Sequence, residues 1–394
     1  MNHSCNIRTP GFFNNNYLEK HLHIISLNVP YPVDYGGVYD LFYKLPALQS
    51  AGVKIHLHCY DYGRGPQPAL NAYCESVQYY QRNTGIKAFS IQWPYIVSSR
   101  INETLAQNLL KDDYPILMEG VHCTFPAFDE RFANRKKYVR VYNVEYEYYK
   151  SLATTTHHLF KKFYFFQESR LLHRYERQLV QKVTELWAIS ERDAQIYNDE
   201  FDGVRTFFLP LFLPSWKVKG EEGMGSYCLY HGDLSVAQNE KAVYWLLRDV
   251  LPGLKIPVVI AGKNPSPKLQ GFIQKQPDTC LIANPDEACM QDVIAKAHVN
   301  VVPAYSNTGI KIKLLNALYN GRHCLANSPA VEGSGLHELC HIADTTDAMR
   351  QRLEQLYHQP FTEQERAARS MVLSQMFCNS SNAQKMVEWI WREG

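Results

Sequence analysis

The feature that most constrains the fold is an alternation of apolar strand patterns and helical patterns, which runs through the chain twice. In the first series, a β-branched-rich strand pattern at 21–29 precedes a Pro- and Gly-rich loop, a helical pattern and a second strand pattern at 54–61. This order predicts a βαβ unit with parallel strands, because the helix returns the chain to the end of the sheet at which the first strand began. Further short apolar strands are expected at 114–122, 137–145 and 184–191.

The second series begins after residues 208–226, where prolines, glycines and charges without periodicity predict a linker. Strand and helix patterns then alternate again from "YCLYHGDL" to "HCLANS". Two such series predict an α/β protein of two doubly wound domains that face each other across a cleft, with ligands at the carboxyl ends of the strands. The expected domains are an N-terminal domain at 1–210 and a C-terminal domain at 211–375, followed by a last helix within 376–394.

Composition excludes several classes of protein. The formal net charge is only +2, from 41 basic and 39 acidic residues, so the concentrated basic surface that nucleic acid requires is not expected. The ten cysteines have no CxxC pair or regular spacing, which favours reduced thiols over a disulfide framework. No run of eighteen apolar residues and no N-terminal apolar segment occurs, so we expect a cytoplasmic protein. No pattern specifies an oligomeric state.

One long segment leaves membrane contact open. Residues 151–183 have a helical period and are rich in aromatic and basic residues. They predict either a long helix packed on its own domain or a helix that lies on a membrane surface. Peripheral contact with a membrane therefore remains an alternative for the N-terminal domain.

Glycines follow several predicted strands. Gly36 and Gly37 precede the first helix, Gly232 ends the strand "YHGDLS", and Lys263 follows the glycine of "IAGKNPS". Glycines at these places let backbone amides approach a phosphate closely, although each is also compatible with an ordinary tight turn. None forms the GxGxxG fingerprint, so a nicotinamide or flavin cofactor is not expected.

The stretch "SNTGIKIKLLNALYNGR" at 306–322 carries the strongest indication of a ligand. Asn307, Thr308 and Gly309 precede a helix and can expose consecutive amides, while Lys311 and Lys313 add positive charge. This combination predicts a site for a diphosphate.

These stretches resemble the retaining GT-B glycosyltransferases of family four. "NVPYPVDYGGVYDLFYKLPALQSAGVKIHL" is similar to the family's first strand, Gly-Gly loop and helix, and "YHGDLSVAQNEKAVYWLLRDVLP" to its entry into the second domain. "VNVVPAYSNTGIKIKLLNALYNGRHCLANSPAVEGSGL" resembles its donor loop. The matches extend in order over residues 21–340.

The resemblance implies a GT-B fold of two Rossmann-like domains and the transfer of a hexose from a UDP- or GDP-sugar, with retention of configuration. The acceptor would be a glycan, a lipid-linked sugar or a surface polysaccharide, bound by the N-terminal domain. No cofactor and no metal are expected, because loop amides and lysines stabilise the leaving diphosphate; histidines such as His21 and His56 also lack metal-ligand spacing. The last helix would cross back to the first domain, or else remain on the second.

The resemblance also assigns residues. Lys311 and Lys313 match its basic positions, and His122 matches a histidine near the C6 hydroxyl of the sugar; a structural role is the alternative for His122. The family's two glutamates fall at Thr308 and Asn316. Asn316 would bind the ribose without a charge, or would face the neighbouring helix.

Glu332 matches an acidic position beside the donor loop, where it would orient the ribose or cap a turn. Because both family glutamates are replaced, two alternatives to a transferase stay open. One is a weakened nucleotide-sugar-binding or scaffold protein, and the other is a GT-B sugar-nucleotide epimerase, which would need further acid/base carboxylates.

Overall fold

The computed structural model describes residues 19–33, 36–156 and 158–392. The N-terminal stretch 1–18, in which no apolar targeting segment is expected, and residues 34–35 of the first Gly-rich loop lie outside the described residues. Among the described residues, no helix combines the length and apolar character that crossing a membrane requires.

The first domain contains a seven-stranded parallel sheet with the strand order β3-β2-β1-β4-β5-β6-β7. Its strands are β1 Lys20–Ser26, β2 Val53–Asp61, β3 Ser76–Gln81, β4 Ile116–Glu119, β5 Lys137–Val141, β6 Glu185–Ala188 and β7 Thr206–Phe208. Its helices are α1 Gly36–Ser50, α2 Tyr95–Ser98, α3 Glu103–Leu109, α4 Glu145–Thr155, α5 Leu159–Leu179 and α6 Glu191–Glu200.

The second domain contains a six-stranded parallel sheet with the order β10-β9-β8-β11-β12-β13. Its strands are β8 Cys228–Asp233, β9 Val258–Lys263, β10 Thr279–Ala283, β11 Val299–Val302, β12 His323–Ala326 and β13 His341–Ile342. Its helices are α7 Ala237–Trp245, α8 Pro267–Ile273, α9 Glu287–Lys296, α10 Ile312–Asn320, α11 Ser328–Val331, α12 Thr346–Tyr357 and α13 Glu363–Met376, and a last helix, α14 Asn379–Trp391, follows them. The two parallel sheets confirm the predicted fold class.

The strand order reverses at one point in each sheet, between β1 and β4 in the first and between β8 and β11 in the second. At such a switch point, the loops after the two neighbouring strands diverge to opposite faces and leave a crevice at the carboxyl end. The loops after β1, β4, β8 and β11 are therefore the ones that topology places at ligand sites.

The C-terminal helix α14 packs on the first sheet. Its buried residues Met386, Val387 and Ile390 belong to the same apolar cluster as β1 and β2. The Trp389 ring also lies 5.6 Å from that of Trp187 on β6.

The single helix predicted for 151–183 is in fact two helices, and this prediction was wrong. α4 ends at Thr155, and α5 begins at Leu159. The break follows a run of threonines, whose β-branched side chains disfavour helix. The hydroxyls of Thr154 and Thr155 instead bond to the carbonyl of Ser151.

Candidate active site

A cavity of about 480 Å³ lies between the two domains, at the carboxyl ends of both sheets. Each of the four strands at the switch points contributes residues at or just beyond its carboxyl end to the wall. The lining residues are Leu27, Gly37, His122, Tyr142, Asn143, Glu145, Ile189, Leu211, Gly232, Asp233, Asn239 and the segment 308–313. The site that topology predicts and the interdomain cavity are thus the same place.

The segment 308–313 forms the second domain's wall and leads into α10. Gly309 adopts φ +61°, a left-handed conformation that side-chain-bearing residues rarely adopt. A Cβ built on Gly309 would lie 2.6 Å from Asn143 Oδ1 and 2.9 Å from the carbonyl oxygen of Tyr142. Glycine is therefore required here both by the turn and by the close approach of the two domains.

Lys311 and Lys313 both face the cavity. Lys311 Nζ donates to the carbonyl of Thr308, and Lys313 Nζ donates to Pro303 O (3.2 Å) and to Asn239 Oδ1 (3.3 Å). Burial lowers the pKa of each lysine to about 8; Lys311 contributes to the shift at Lys313. Neither amine has a carboxylate within salt-bridge distance among the described residues, so their charge is available to an anionic ligand.

His122 lies on the first domain's wall, in the turn after β4. Its Nδ1 is buried without a hydrogen-bond partner among the described residues. Burial and the nearby charges of Arg100 and Arg82 hold the pKa of His122 well below its usual value. The ring is therefore neutral and can exchange a hydrogen bond with a hydroxyl in the cavity.

Tyr142 is fixed by a buried charged cluster beneath the cavity. Its hydroxyl donates to Glu119 Oε2 (2.5 Å), while Glu119 Oε1 accepts from Lys44 Nζ (2.6 Å). Asp40 bridges Lys44 and the Arg140 guanidinium, at 2.9 Å each. Because each charge has a partner of opposite sign, the cluster holds this wall rigid rather than offering a free acid or base.

Glu145 is a buried carboxyl at the same wall. Burial and the neighbouring Glu176 raise the pKa of Glu145 to about 8. Glu176 is itself occupied, since it accepts from the backbone amides of Glu145 (3.0 Å) and Tyr146 (3.1 Å). At neutral pH Glu145 is therefore largely protonated, and it can donate a proton or a hydrogen bond.

An ionic network joins the domains at the rim of the cavity. Asn307 Nδ2 donates to both carboxylate oxygens of Glu332, at 3.1 Å each. Glu332 also accepts from Arg192 Nε (3.1 Å), and Arg192 in turn contacts Glu147 at 2.6 Å. The loop that precedes α10 is thereby tied to the first domain.

The structure brings most of the predicted site residues together. Those that line the cavity are Gly37, His122, Gly232, Thr308, Gly309, Lys311 and Lys313. Gly36 starts α1 beside them, and Asn307 and Glu332 form the rim. Lys263 is exposed at the end of β9 and does not line the cavity. Asn316 is buried in α10, where its Oδ1 accepts from Asn320 Nδ2 at 2.7 Å.

Four further cavity residues were not among the predicted site residues: Asn143, Glu145, Asp233 and Asn239. Asp233 ends β8, and Asn143 and Glu145 lie just beyond β5, so their position at the carboxyl ends of strands was the available indication, whereas Asn239 lies in the first turn of α7. Asn239 is the most informative of them, because it accepts from both Lys313 (3.3 Å) and Tyr230 (3.1 Å) and so positions the lysine.

Comparison with known proteins gives one curated relative and many solved structures of the same architecture. No family model matches the chain. An uncharacterized 44.6 kDa protein in the cps region of Klebsiella pneumoniae is 26% identical over 332 residues, which cover 79% of this chain and 84% of that protein.

Two solved structures illustrate the architecture. WaaG, a glycosyltransferase involved in lipopolysaccharide biosynthesis, matches with a TM-score of 0.64 and 13% identity, over 94% of this chain and 100% of WaaG. HepE of Anabaena, solved in complex with UDP and glucose, matches with a TM-score of 0.61 and 9% identity, over 93% and 98%. The chain thus has the GT-B fold, as the sequence resemblance predicted.

Proposed function

We propose that the protein is a retaining glycosyltransferase that moves a hexose from a UDP- or GDP-sugar to an acceptor held by the first domain. The observation that carries this proposal is the pair Lys311 and Lys313, which face the interdomain cavity without carboxylate partners among the described residues. Two cations beside the N-terminus of α10 favour a ligand with two phosphates. The UDP and glucose bound to HepE are ligands of the kind proposed.

In the proposed reaction, the bond between the anomeric carbon and the diphosphate oxygen breaks. The acceptor hydroxyl oxygen bonds to the same carbon from the same face, and its proton passes to the departing phosphate oxygen. Lys311 and the amides that open α10 stabilise the negative charge that develops on the diphosphate, a contribution of about 3–4 kcal/mol for one such donor. No metal is required in this scheme.

His122 and Asn316 have proposed contacts with the donor. His122, which lines the cavity, would exchange a hydrogen bond with a sugar hydroxyl. Asn316 would contact the ribose through its Nδ2, since its Oδ1 already accepts from Asn320. Glu332 would help to orient the ribose from the rim of the cavity.

A lipid-linked acceptor is favoured by the surface of α5. Its N-terminal half exposes Leu159 (79%), Phe160 (83%) and Phe163 (65%) beside the exposed Lys161 and Lys162. Apolar side chains flanked by cations suit an anionic membrane surface. Phe160→Glu should abolish sedimentation with anionic vesicles, whereas Met371→Glu, at an exposed apolar residue of α13, should not; equal sedimentation of the two variants would refute this contact.

The transferase proposal is tested by nucleotide release. UDP- and GDP-hexoses are incubated with lipid-linked and free glycan acceptors, and free nucleotide and product are measured, with the anomeric configuration assigned by NMR. Acceptor-dependent release with retention supports the proposal. Nucleotide binding without transfer to any acceptor would instead support the scaffold alternative.

Glu145 favours a second candidate function, that of a sugar-nucleotide epimerase. Such an enzyme needs a protonatable carboxyl near the sugar, and Glu145 is a cavity carboxyl whose pKa is raised to about 8. Conversion of a nucleotide sugar into its epimer without acceptor would support this candidate, and its loss in Glu145→Gln would assign the residue.

A further inference from the structure

We propose that the second domain binds a zinc ion through His323, His341 and Glu365, at a structural site separate from the interdomain cavity. His323 begins β12, His341 begins β13, and Glu365 lies in the first turn of α13. Each of the three residues has one potential ligand atom that lies close to those of the other two. The residues are separated by 18 and 24 positions in the chain, so the sequence shows no metal motif.

The distances match a tetrahedral metal site. His323 Nδ1 lies 3.2 Å from His341 Nε2 and 3.4 Å from Glu365 Oε1, and the remaining pair is 3.7 Å apart. Zinc bonds of about 2.0–2.1 Å place tetrahedral ligands about 3.3 Å from one another. A triangle with the observed sides has a circumradius of about 2.0 Å, so an ion just above its plane reaches all three atoms at normal zinc distances.

The hydrogens of the cluster also favour a cation. His323 Nε2 lies 2.9 Å from the carbonyl oxygen of Gln359, which can only accept, so Nε2 carries the hydrogen of the neutral ring. His323 Nδ1 then presents a lone pair toward Glu365 Oε1, which is also an acceptor. A single hydrogen on His341 Nε2 can be donated to only one of these two acceptors, His323 Nδ1 or Glu365 Oε1. A zinc ion satisfies both, with His341 in its Nδ1–H tautomer.

Neighbouring groups orient two of the ligands. The Gln359 carbonyl fixes the ring of His323. Glu365 Oε2 accepts from the amide (2.9 Å) and hydroxyl (2.8 Å) of Thr362, which leaves Oε1 directed at the histidines. Outer partners of this kind are typical of zinc sites. His298, although close to His323, uses both ring nitrogens on Gly225 N and Leu356 O and is not a ligand.

The location assigns a structural role to the metal. His323 and His341 are the first residues of parallel strands, and the interdomain cavity lies at the opposite, carboxyl ends. The cluster borders a separate surface pocket of about 190 Å³, through which a water molecule can supply the fourth ligand. Arg369, in the same pocket, directs its guanidinium to Gly321 O at 3.0 Å. The ion would connect the two-residue edge strand β13 to β12 and α13.

The test is zinc binding by the full-length protein after treatment with EDTA and buffer exchange, in competition with a chromophoric chelator. We expect one zinc ion per chain and a higher melting temperature with zinc. His341→Gln and Glu365→Gln should bind zinc at least about tenfold more weakly. Gln at 365 can still accept from Thr362, so the helix cap is retained. The matched control is His337→Gln, since His337 is exposed, four residues from His341 and outside the cluster.

Three results would overturn the site: no zinc bound by the wild-type chain, equal affinity in His341→Gln, or an equal loss in His337→Gln. Absence of zinc from the wild-type chain would indicate that the two histidines and the glutamate share a proton instead of binding a metal. Nucleotide affinity is measured on the same samples. Because the metal site is remote from the cavity, either property can be absent while the other is present.

Discussion

Gly309 of the second domain lies directly against Asn143 of the first, with room for no side chain between them. A Cβ on Gly309 would be 2.6 Å from Asn143 Oδ1. The contact holds the lysine-bearing loop of one domain against the histidine-bearing wall of the other. The geometry of the candidate site therefore depends on how the two domains close.

Gly309→Ala should weaken nucleotide binding and turnover, because the new methyl group forces the domains apart. The left-handed backbone adds a cost of about 1–2 kcal/mol. Gly85→Ala is the matched control, since Gly85 has the same φ of +61° but nothing within 4 Å of its Cβ position. Calorimetric titration with UDP and GDP checks the difference. Similar affinities in the two variants would show that the interdomain contact does not matter.

Lys311→Ala should lower kcat by about 10²–10³-fold, the usual effect of removing one group that stabilises developing negative charge. The exposed Lys275→Ala controls for the loss of a positive charge alone and should retain full turnover. Steady-state kinetics with saturating donor give the comparison. Wild-type kcat in Lys311→Ala would remove the residue from the mechanism.

Nucleotide affinity should decrease above about pH 8. Burial lowers the pKa of Lys311 and Lys313 to about 8, and a diphosphate binds their protonated forms. Asp193 opposes the shift at Lys311, and Arg192 adds to it. As the pH rises through this value, each lysine loses its charge and its attraction for the ligand. Binding titrations between about pH 7 and pH 9.5 measure how steeply the nucleotide affinity decreases with pH.

Lys313→Arg provides the control for this pH dependence. Arginine stays protonated throughout the range, so the decrease in affinity should become shallower. A flat profile in the wild-type protein would contradict the pKa assignment.

His122→Ala should lower kcat/KM by about tenfold to a hundredfold and leave UDP or GDP affinity unchanged, because the imidazole is proposed to contact the sugar rather than the nucleotide. His173→Ala, on α5 outside the cavity, is the control. A proportional loss of nucleotide affinity would indicate instead that His122 supports the fold of the cavity wall.

Much of the fold followed from the sequence because its determinants are local. Strand patterns with short loops predicted both parallel sheets, and topology alone then placed Gly232 and the 308–313 loop at one cavity. Lys311 and Lys313 could be identified because they follow a turn and open a helix.

The missed features depend on contacts between distant parts of the chain. Asn143 and Glu145 enter the site only because the domains close on each other. The hydrogen bond from Asn320 to Asn316 is local, but whether Asn316 faces the cavity or the core depends on how α10 packs. His323 and His341 meet because β12 and β13 are neighbours in the sheet, which no spacing along the chain indicates.

The most direct test of the account is a thermal-shift titration of the wild-type protein and the Lys311→Ala, Lys313→Ala double variant with UDP, GDP and their hexose conjugates. We expect at least one nucleoside diphosphate to raise the melting temperature of the wild type in a concentration-dependent manner, and we expect the double variant to lose this shift. No shift of the wild type with any of these ligands would contradict the assignment of the cavity as a nucleotide-sugar site.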